Sequence, residues 1–251
     1  MSSIKDQAVF IRLRNYSETS QIVTLFSRSS GKIHALAKGS HRSRGKFGGG
    51  IDLLTAGEIL FIPARAESSL ALLTEFDLRE SFPLLRRDLL ALNSAQYIAE
   101  LLNLFTEELD PHEKLYDQFI ISLRQLEQNK INKTVLLLQF ELSLLREIGL
   151  APDWERCYAC GRKLPSGPCY FSSSNSGMIC RDCEPTEIEK YLVSPRILPI
   201  LSHPDQAPST PSSLVMEAHR LLCYHLRKLA GKTIPVMDFL NQLLIKQETS
   251  P

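Results

Sequence analysis

Gln21-Ile22-Val23-Thr24-Leu25-Phe26-Ser27-Arg28-Ser29-Ser30-Gly31-Lys32-Ile33-His34-Ala35-Leu36-Ala37-Lys38 is the stretch that decides the fold. After the turn Ser29-Ser30-Gly31-Lys32, Ile33, Ala35 and Ala37 alternate with His34, Leu36 and Lys38, so the stretch reads as a β-hairpin. Upstream, the same period of two is expected to put Val9, Ile11 and Leu13 on one face and Phe10, Arg12 and Arg14 on the other. Downstream, Glu58 to Pro63 and Leu70 to Phe76 are two more strand candidates.

Five strands within about 75 residues suit a small closed barrel of the OB type. Between the third and fourth lies Gly39-Ser40-His41-Arg42-Ser43-Arg44-Gly45-Lys46-Phe47-Gly48-Gly49-Gly50, too glycine-rich for regular structure and read as a basic loop. From about Phe82 the period becomes 3.6, with Tyr97, Ile98, Leu101, Leu102 and Phe105 on one stripe. Asp110-Pro111 resets the chain before a helix carrying Leu115, Phe119, Leu123 and Leu126. The next helix, near Lys133 to Ile148, is apolar nearly all round and is expected to be the buried centre of the bundle; Gly149 stops it. A Pro-rich stretch, a helix carrying Val215, Leu222, Leu226 and Leu229, and a short helix near Val236 to Lys246 follow. The fold expected is α+β: a five-stranded OB barrel at 1–80, then a helical domain at 81–251 with a small cysteine-rich insert at 152–186.

Of 251 residues, 29 are Lys or Arg and 28 are Asp or Glu, and 43% are apolar, the balance of a globular chain rather than a disordered or fibrous one. No apolar run approaches the roughly 18 residues of a membrane span. The start of the chain shows no apolar signal region, so the cytosol is expected, where cysteines stay reduced. The near-neutral total hides an asymmetry. Residues 1–50 hold nine bases against two acids, and residues 51–110 hold four against eleven. Such a split points the first segment at a polyanion.

Two constellations carry chemistry. Cys157-Tyr158-Ala159-Cys160 and Cys180-Arg181-Asp182-Cys183 form a pair of C-x-x-C motifs with the spacing of a four-cysteine zinc site. Such a site is closed and structural; Cys169 and Cys223 are expected to be buried or spare thiols. The second constellation mixes cations with rings: Arg12, Arg14, Arg28, Lys32, Lys38, Arg42, Arg44 and Lys46 as phosphate contacts, with Phe10 and Phe47 as stacking rings. His219 sits on an apolar stripe and is read as a satisfied core residue. There is no G-x-S-x-G, Walker P-loop or dinucleotide motif, and no catalytic constellation was found.

Tyr16-Ser17-Glu18-Thr19-Ser20, Gly31, Ala37-Lys38-Gly39-Ser40, Glu147-Ile148-Gly149-Leu150-Ala151-Pro152, Cys157-Tyr158-Ala159-Cys160-Gly161, Phe171 and Cys180-Arg181-Asp182-Cys183 occur in this order. In them the chain resembles the RecO family of bacterial recombination mediators. One departure is Ser176-Gly177, where the family often has two glycines. The resemblance implies an N-terminal OB-fold, a helical domain and, in many members, one structural Zn2+. It implies binding of single- and double-stranded DNA and annealing of complementary strands. It also implies cooperation with RecR in loading RecA on DNA coated with single-strand binding protein. That protein's acidic, apolar C-terminal tail is contacted through the helical domain; Arg124, Lys130 and Lys133 are the candidates to rim its pocket. The resemblance further implies no nucleotide cofactor, no membrane and a place at the nucleoid during repair. Two other readings stand beside this one: an RNA-binding barrel with zinc, and a zinc-dependent enzyme with an open thiolate site.

Overall fold

The computed structural model describes every residue except 1, 42–46, 49, 65–69, 166 and 249–251. The chain divides into two compact units, 1–129 and 130–251.

In the first unit, β1 (Ile4–Asn15), β2 (Gln21–Ser27) and β3 (Gly31–Ala37) form an antiparallel meander. A two-residue β4 (Phe47–Gly48) precedes β5 (Ala56–Ile62) and β6 (Ala71–Glu80). The order is β3-β2-β1-β5-β6, and β3 meets β6 in parallel, Leu36 opposite Leu72, to close a five-stranded OB barrel. Closure removes the free edges that an open sheet would present. Its interior is filled by Ala8, Phe10, Val23, Leu25, Ile33, Ala35, Ile59, Phe61, Leu73 and Phe76.

Strict alternation fails at one point in β1, and the failure relocates a side chain. Phe10 pairs with Leu25, but Arg12 pairs with Thr24, its immediate neighbour, so Ile11 is an extra residue in a β-bulge. The bulge flips the parity: Ala8 and Phe10 point into the barrel before it, and Leu13 does so after it. Phe10 therefore does not share the outer face of Arg12 and Arg14, as uninterrupted alternation predicts. Its ring lies edge-on to Phe76, 4.9 Å between centroids.

Two helices belong to the same unit. Asp88 caps α1 (Leu89–Phe105) by accepting from the Ala91 N–H at 3.0 Å, and α2 (Glu113–Gln128) ends on Asn129 in the left-handed region, φ 52°. Asp110 presses its backbone on the β2–β3 turn. The Leu109 N–H donates to the Lys32 carbonyl at 3.0 Å, and a Cβ placed on Gly31 would sit 2.2 Å from the Asp110 carbonyl oxygen. Gly31 also has φ +71°, so it is required twice over. Gly31→Ala is expected to cost about 2–5 kcal/mol, combining left-handed strain with the collision. A urea midpoint equal to that of the parent would refute this.

The second unit is built on α3 (Lys133–Glu147), whose side chains Val135, Leu136, Leu137, Leu138, Phe140, Leu142, Leu144 and Leu145 are all buried, as its all-round apolar sequence requires. Asn132 caps it, accepting from Thr134 N–H at 2.9 Å, and Gly149, φ +73°, ends it. Next come β7 (Cys169–Ser172), β8 (Gly177–Ile179) and β9 (Tyr191–Val193), a three-stranded sheet with β7 in the centre. The short α4 (Leu198–Ser202) leads to α5 (Ser212–Ala230), which packs on α3, and to α6 (Pro235–Glu248).

Candidate functional site

Residues directly opposite in an antiparallel sheet share a face, so the register sorts the outer side of β1-β2-β3 into two halves. In one half Val9, Phe26 and Lys32 align, all buried, because α1 packs on β1 and α2 on β2. In the other half two rows stay open: Arg12-Thr24-His34 and Arg14-Ile22-Leu36. Arg12 and Arg14 are exposed, Ile22, His34 and Leu36 half-buried, and His34 Nδ1 lies 3.1 Å from the Thr24 hydroxyl.

The same end of the barrel gathers two loops. The Gly39 N–H donates to Ser20 Oγ and the His41 N–H to the Thr19 carbonyl, each at 3.2 Å. These bonds bring the start of the basic loop against the β1–β2 connection. Lys38 and His41 are exposed there, and Tyr16 is 64% exposed. Arg12, Arg14 and Lys38 make no ion pair among the described residues. The open half thus joins free cations to one exposed ring and a low apolar floor, a surface suited to a chain of phosphates and flat bases.

The remaining expected contacts divide by what holds them. Lys32 Nζ donates to the carbonyls of Asn103, at 2.8 Å, and Thr106, at 2.5 Å, so this buried lysine closes the C-terminal end of α1 instead of meeting phosphate; burial lowers its pKa. Arg28 donates twice to Asp117, at 2.9 and 3.0 Å, and that carboxylate raises the guanidinium's pKa. Phe10 is wholly buried and Phe47 7% exposed, both in the barrel core, so neither ring is available to a base. Arg42, Arg44 and Lys46 lie outside the described residues. Tyr16 and His41, exposed at the same end, carry no signal in the sequence as candidates: loop residues have no periodicity, and only proximity to Arg14 and Lys38 marks them.

Of the expected tail-binding cations, Arg124 is held by Glu80 through bonds of 2.8 and 2.6 Å, and Lys133 is buried in the first turn of α3. Lys130 is exposed. Arg124 falls in the first unit, where it lines a cavity with Arg79, Ile120 and Ile121, and Lys130 and Lys133 fall in the second.

In the second unit the Sγ atoms of Cys157, Cys160, Cys180 and Cys183 all lie within 4.8 Å of one another, so the four could hold a metal ion. Each pair turns as a knuckle. The Gly161 N–H donates to the Cys157 carbonyl at 2.8 Å with Gly161 at φ +70°, and the Cys183 and Glu184 N–H groups both donate to the Cys180 carbonyl, at 3.1 and 3.0 Å. The Cys160–Cys180 sulfur separation of 3.8 Å matches the edge of a tetrahedron with bonds of about 2.3 Å, the length of a zinc–thiolate bond. Arg162 ties the knuckles together, donating to Cys160 Sγ at 3.4 Å and to Asp182 at 2.8 Å. It draws the Cys160 thiol down to about 6, whereas a bond to Cys180 and burial push Cys183 up to about 12. Four crowded thiols cannot all ionise without a compensating cation. Cys169 is excluded from the set: its buried Sγ faces the Val193 carbonyl, and burial raises its pKa to about 11. At the Ser176-Gly177 turn, Ser176 takes φ +47°, and a Cβ on Gly177 would meet Tyr158 at 2.7 Å.

Among the described residues, no helix is long and apolar enough to cross a membrane. Residues 1–82 match the family model described as Recombination protein O N terminal, and residues 86–238 that described as Recombination protein O C terminal. The chain is 36% identical over 210 residues to the DNA repair protein RecO of Rhodopirellula baltica, covering 81% of this chain and 77% of that one. It is 29% identical over 248 residues to the DNA repair protein RecO of Bacillus pumilus, covering 96% and 94%. With the protein of the same name from Caldanaerobacter subterraneus it shares 27% over 251 residues, covering 97% and 99%.

Proposed function

The chain belongs to the Recombination protein O (RecO) family, and from that premise we propose that it is a recombination mediator of DNA repair. It binds single- and double-stranded DNA, anneals complementary strands and, with RecR, helps load RecA on DNA coated with single-strand binding protein. The observation that carries this reading is the open half of the barrel face, where Arg12, Arg14 and Lys38 are exposed and spend no charge on acids among the described residues.

The mechanism is electrostatic and needs no covalent step. Two strands repel through their phosphates, and a surface that neutralises both lowers the barrier to pairing. Arg12, Arg14 and Lys38 neutralise phosphates, Arg42, Arg44 and Lys46 are kept as further phosphate contacts on their charge in the sequence alone, and Tyr16 stacks on a base while leaving its pairing edge open. Cys157, Cys160, Cys180 and Cys183 would hold Zn2+, whose role there would be structural, since four sulfurs would leave no coordination position for substrate. For the acidic, apolar tail of single-strand binding protein, the second unit offers a cleft of about 420 Å³ lined by Trp154, Leu164, Pro195 and Leu198, with Lys163 and His203, but also the acidic Glu155, on its wall.

The test is annealing of complementary oligonucleotides, bare and coated with single-strand binding protein, without ATP. Pairing accelerated in both cases is the expected result. Acceleration absent in both would overturn the reading. An RNA competitor that displaces DNA at equal concentration would favour the RNA-binding alternative, since the 2′-OH is what lets a protein tell the two apart.

A further inference from the structure

The second unit contains another set of metal-ligand side chains that the four-cysteine centre does not use. His219 and Cys223 stand one turn apart on α5, a spacing that puts both on one helix face; Asn241 comes from α6 and Glu141 from α3. Glu141 and His219 are completely buried and Cys223 is 4% exposed. A carboxyl, an imidazole and a thiol converge there in an apolar interior and pair with one another, His219 with the Glu141 carboxylate and Cys223 with the Asn241 amide.

His219 Nε2 lies 3.1 Å from Asn241 Oδ1 and 3.5 Å from Cys223 Sγ, and the sulfur lies 3.9 Å from the same amide oxygen. These separations admit a point about 2.1 Å from the nitrogen and the oxygen and about 2.3 Å from the sulfur, the lengths of zinc bonds to those atoms. The other ring nitrogen, Nδ1, is 3.0 Å from the Glu141 carboxylate, the contact that orients a metal-bound histidine and fixes its tautomer.

We propose that His219 Nε2, Cys223 Sγ and Asn241 Oδ1 form a second metal site, selective for Zn2+ or a similar transition dication, with Glu141 as its positioning residue. A thiolate beside an imidazole favours such an ion over Mg2+ or Ca2+. Binding sends the thiol proton of Cys223 and any proton on Nε2 to solvent, while the Nδ1 proton stays on the hydrogen bond to Glu141. The dication, one thiolate and one carboxylate sum to neutrality, the condition under which charge is tolerated in a core.

The test uses the full chain, loaded with Co2+ or Zn2+ and dialysed. Two ions per chain are expected, with X-ray absorption reporting an average of about 2.5 sulfurs per ion, against four for the cysteine centre alone. Cys223→Ala and His219→Gln should each drop the count to one and restore the four-sulfur signature. One ion per wild-type chain, with four sulfurs around it, would overturn the proposal. That wild-type measurement needs no variant to fold, and it leaves the reading of the cysteine centre and the barrel untouched.

Discussion

A chain carrying Arg12→Ala, Arg14→Ala and Lys38→Ala together is expected to bind single-stranded DNA about a hundred-fold more weakly at about 0.1 M salt. The reason is counterion release: each phosphate contact on a single strand contributes about 0.7 to the slope of log affinity against log salt, so three lost contacts flatten it by about 2. The effect should be confined to the open half of the barrel. Arg28 is committed to Asp117 and Arg124 to Glu80, so Arg28→Ala or Arg124→Ala should leave the slope nearly unchanged while loosening α2 from the barrel. Equal slopes for the triple variant and the parent would remove these three residues from the interface.

Removing the metal from the four-cysteine centre should have a comparably large effect on a different observable. The apolar cluster around the knuckles is small: Cys157, Ile179 and Cys180, with Leu164, Tyr170 and Cys183 partly buried beside them. Two of its three buried members, Cys157 and Cys180, belong to the set that could hold the metal. Structural zinc sites contribute on the order of 10 kcal/mol to domains of this kind. A strong chelator, or Cys180→Ser, is therefore expected to abolish hydrogen-exchange protection in β7 and β8. Binding of DNA by the barrel should persist, because no phosphate contact is assigned to the insert. Unchanged protection after complete removal of the metal would mean that side-chain packing alone holds the insert.

Much of this architecture is legible in the residues, and the exceptions have physical causes. The alternation of Gln21 to Lys38 marks the hairpin because one face is buried and the other is not, and the paired C-x-x-C motifs mark the metal centre because tetrahedral geometry dictates their spacing. Phe10 was misplaced because a single extra residue, Ile11, inverts the side-chain parity of everything after it, and a bulge leaves no local signature in composition. Lys32 and Arg28 look like phosphate ligands when counted as charge. Their partners, the carbonyls at the end of α1 and the carboxylate of Asp117, lie 71 to 89 positions further along the chain. The change of period near Phe82 shows where strands give way to helices. The compact unit continues to Asn129, because Lys32, Arg28 and Glu80 bind α1 and α2 to the barrel. The buried His219-Cys223-Glu141-Asn241 set was reduced in sequence to a core histidine and a spare thiol, since its members come from three helices and only His219 and Cys223 are close in sequence.

Ultraviolet cross-linking of oligo(dT) to the intact chain, followed by mapping of the modified peptides, tests most directly where the polynucleotide lies. Adducts on Tyr16 and on the peptides from Arg12 to Lys46 are the predicted outcome. Adducts confined to α2, to the cysteine knuckles or to the second unit would contradict the assignment of the open barrel face.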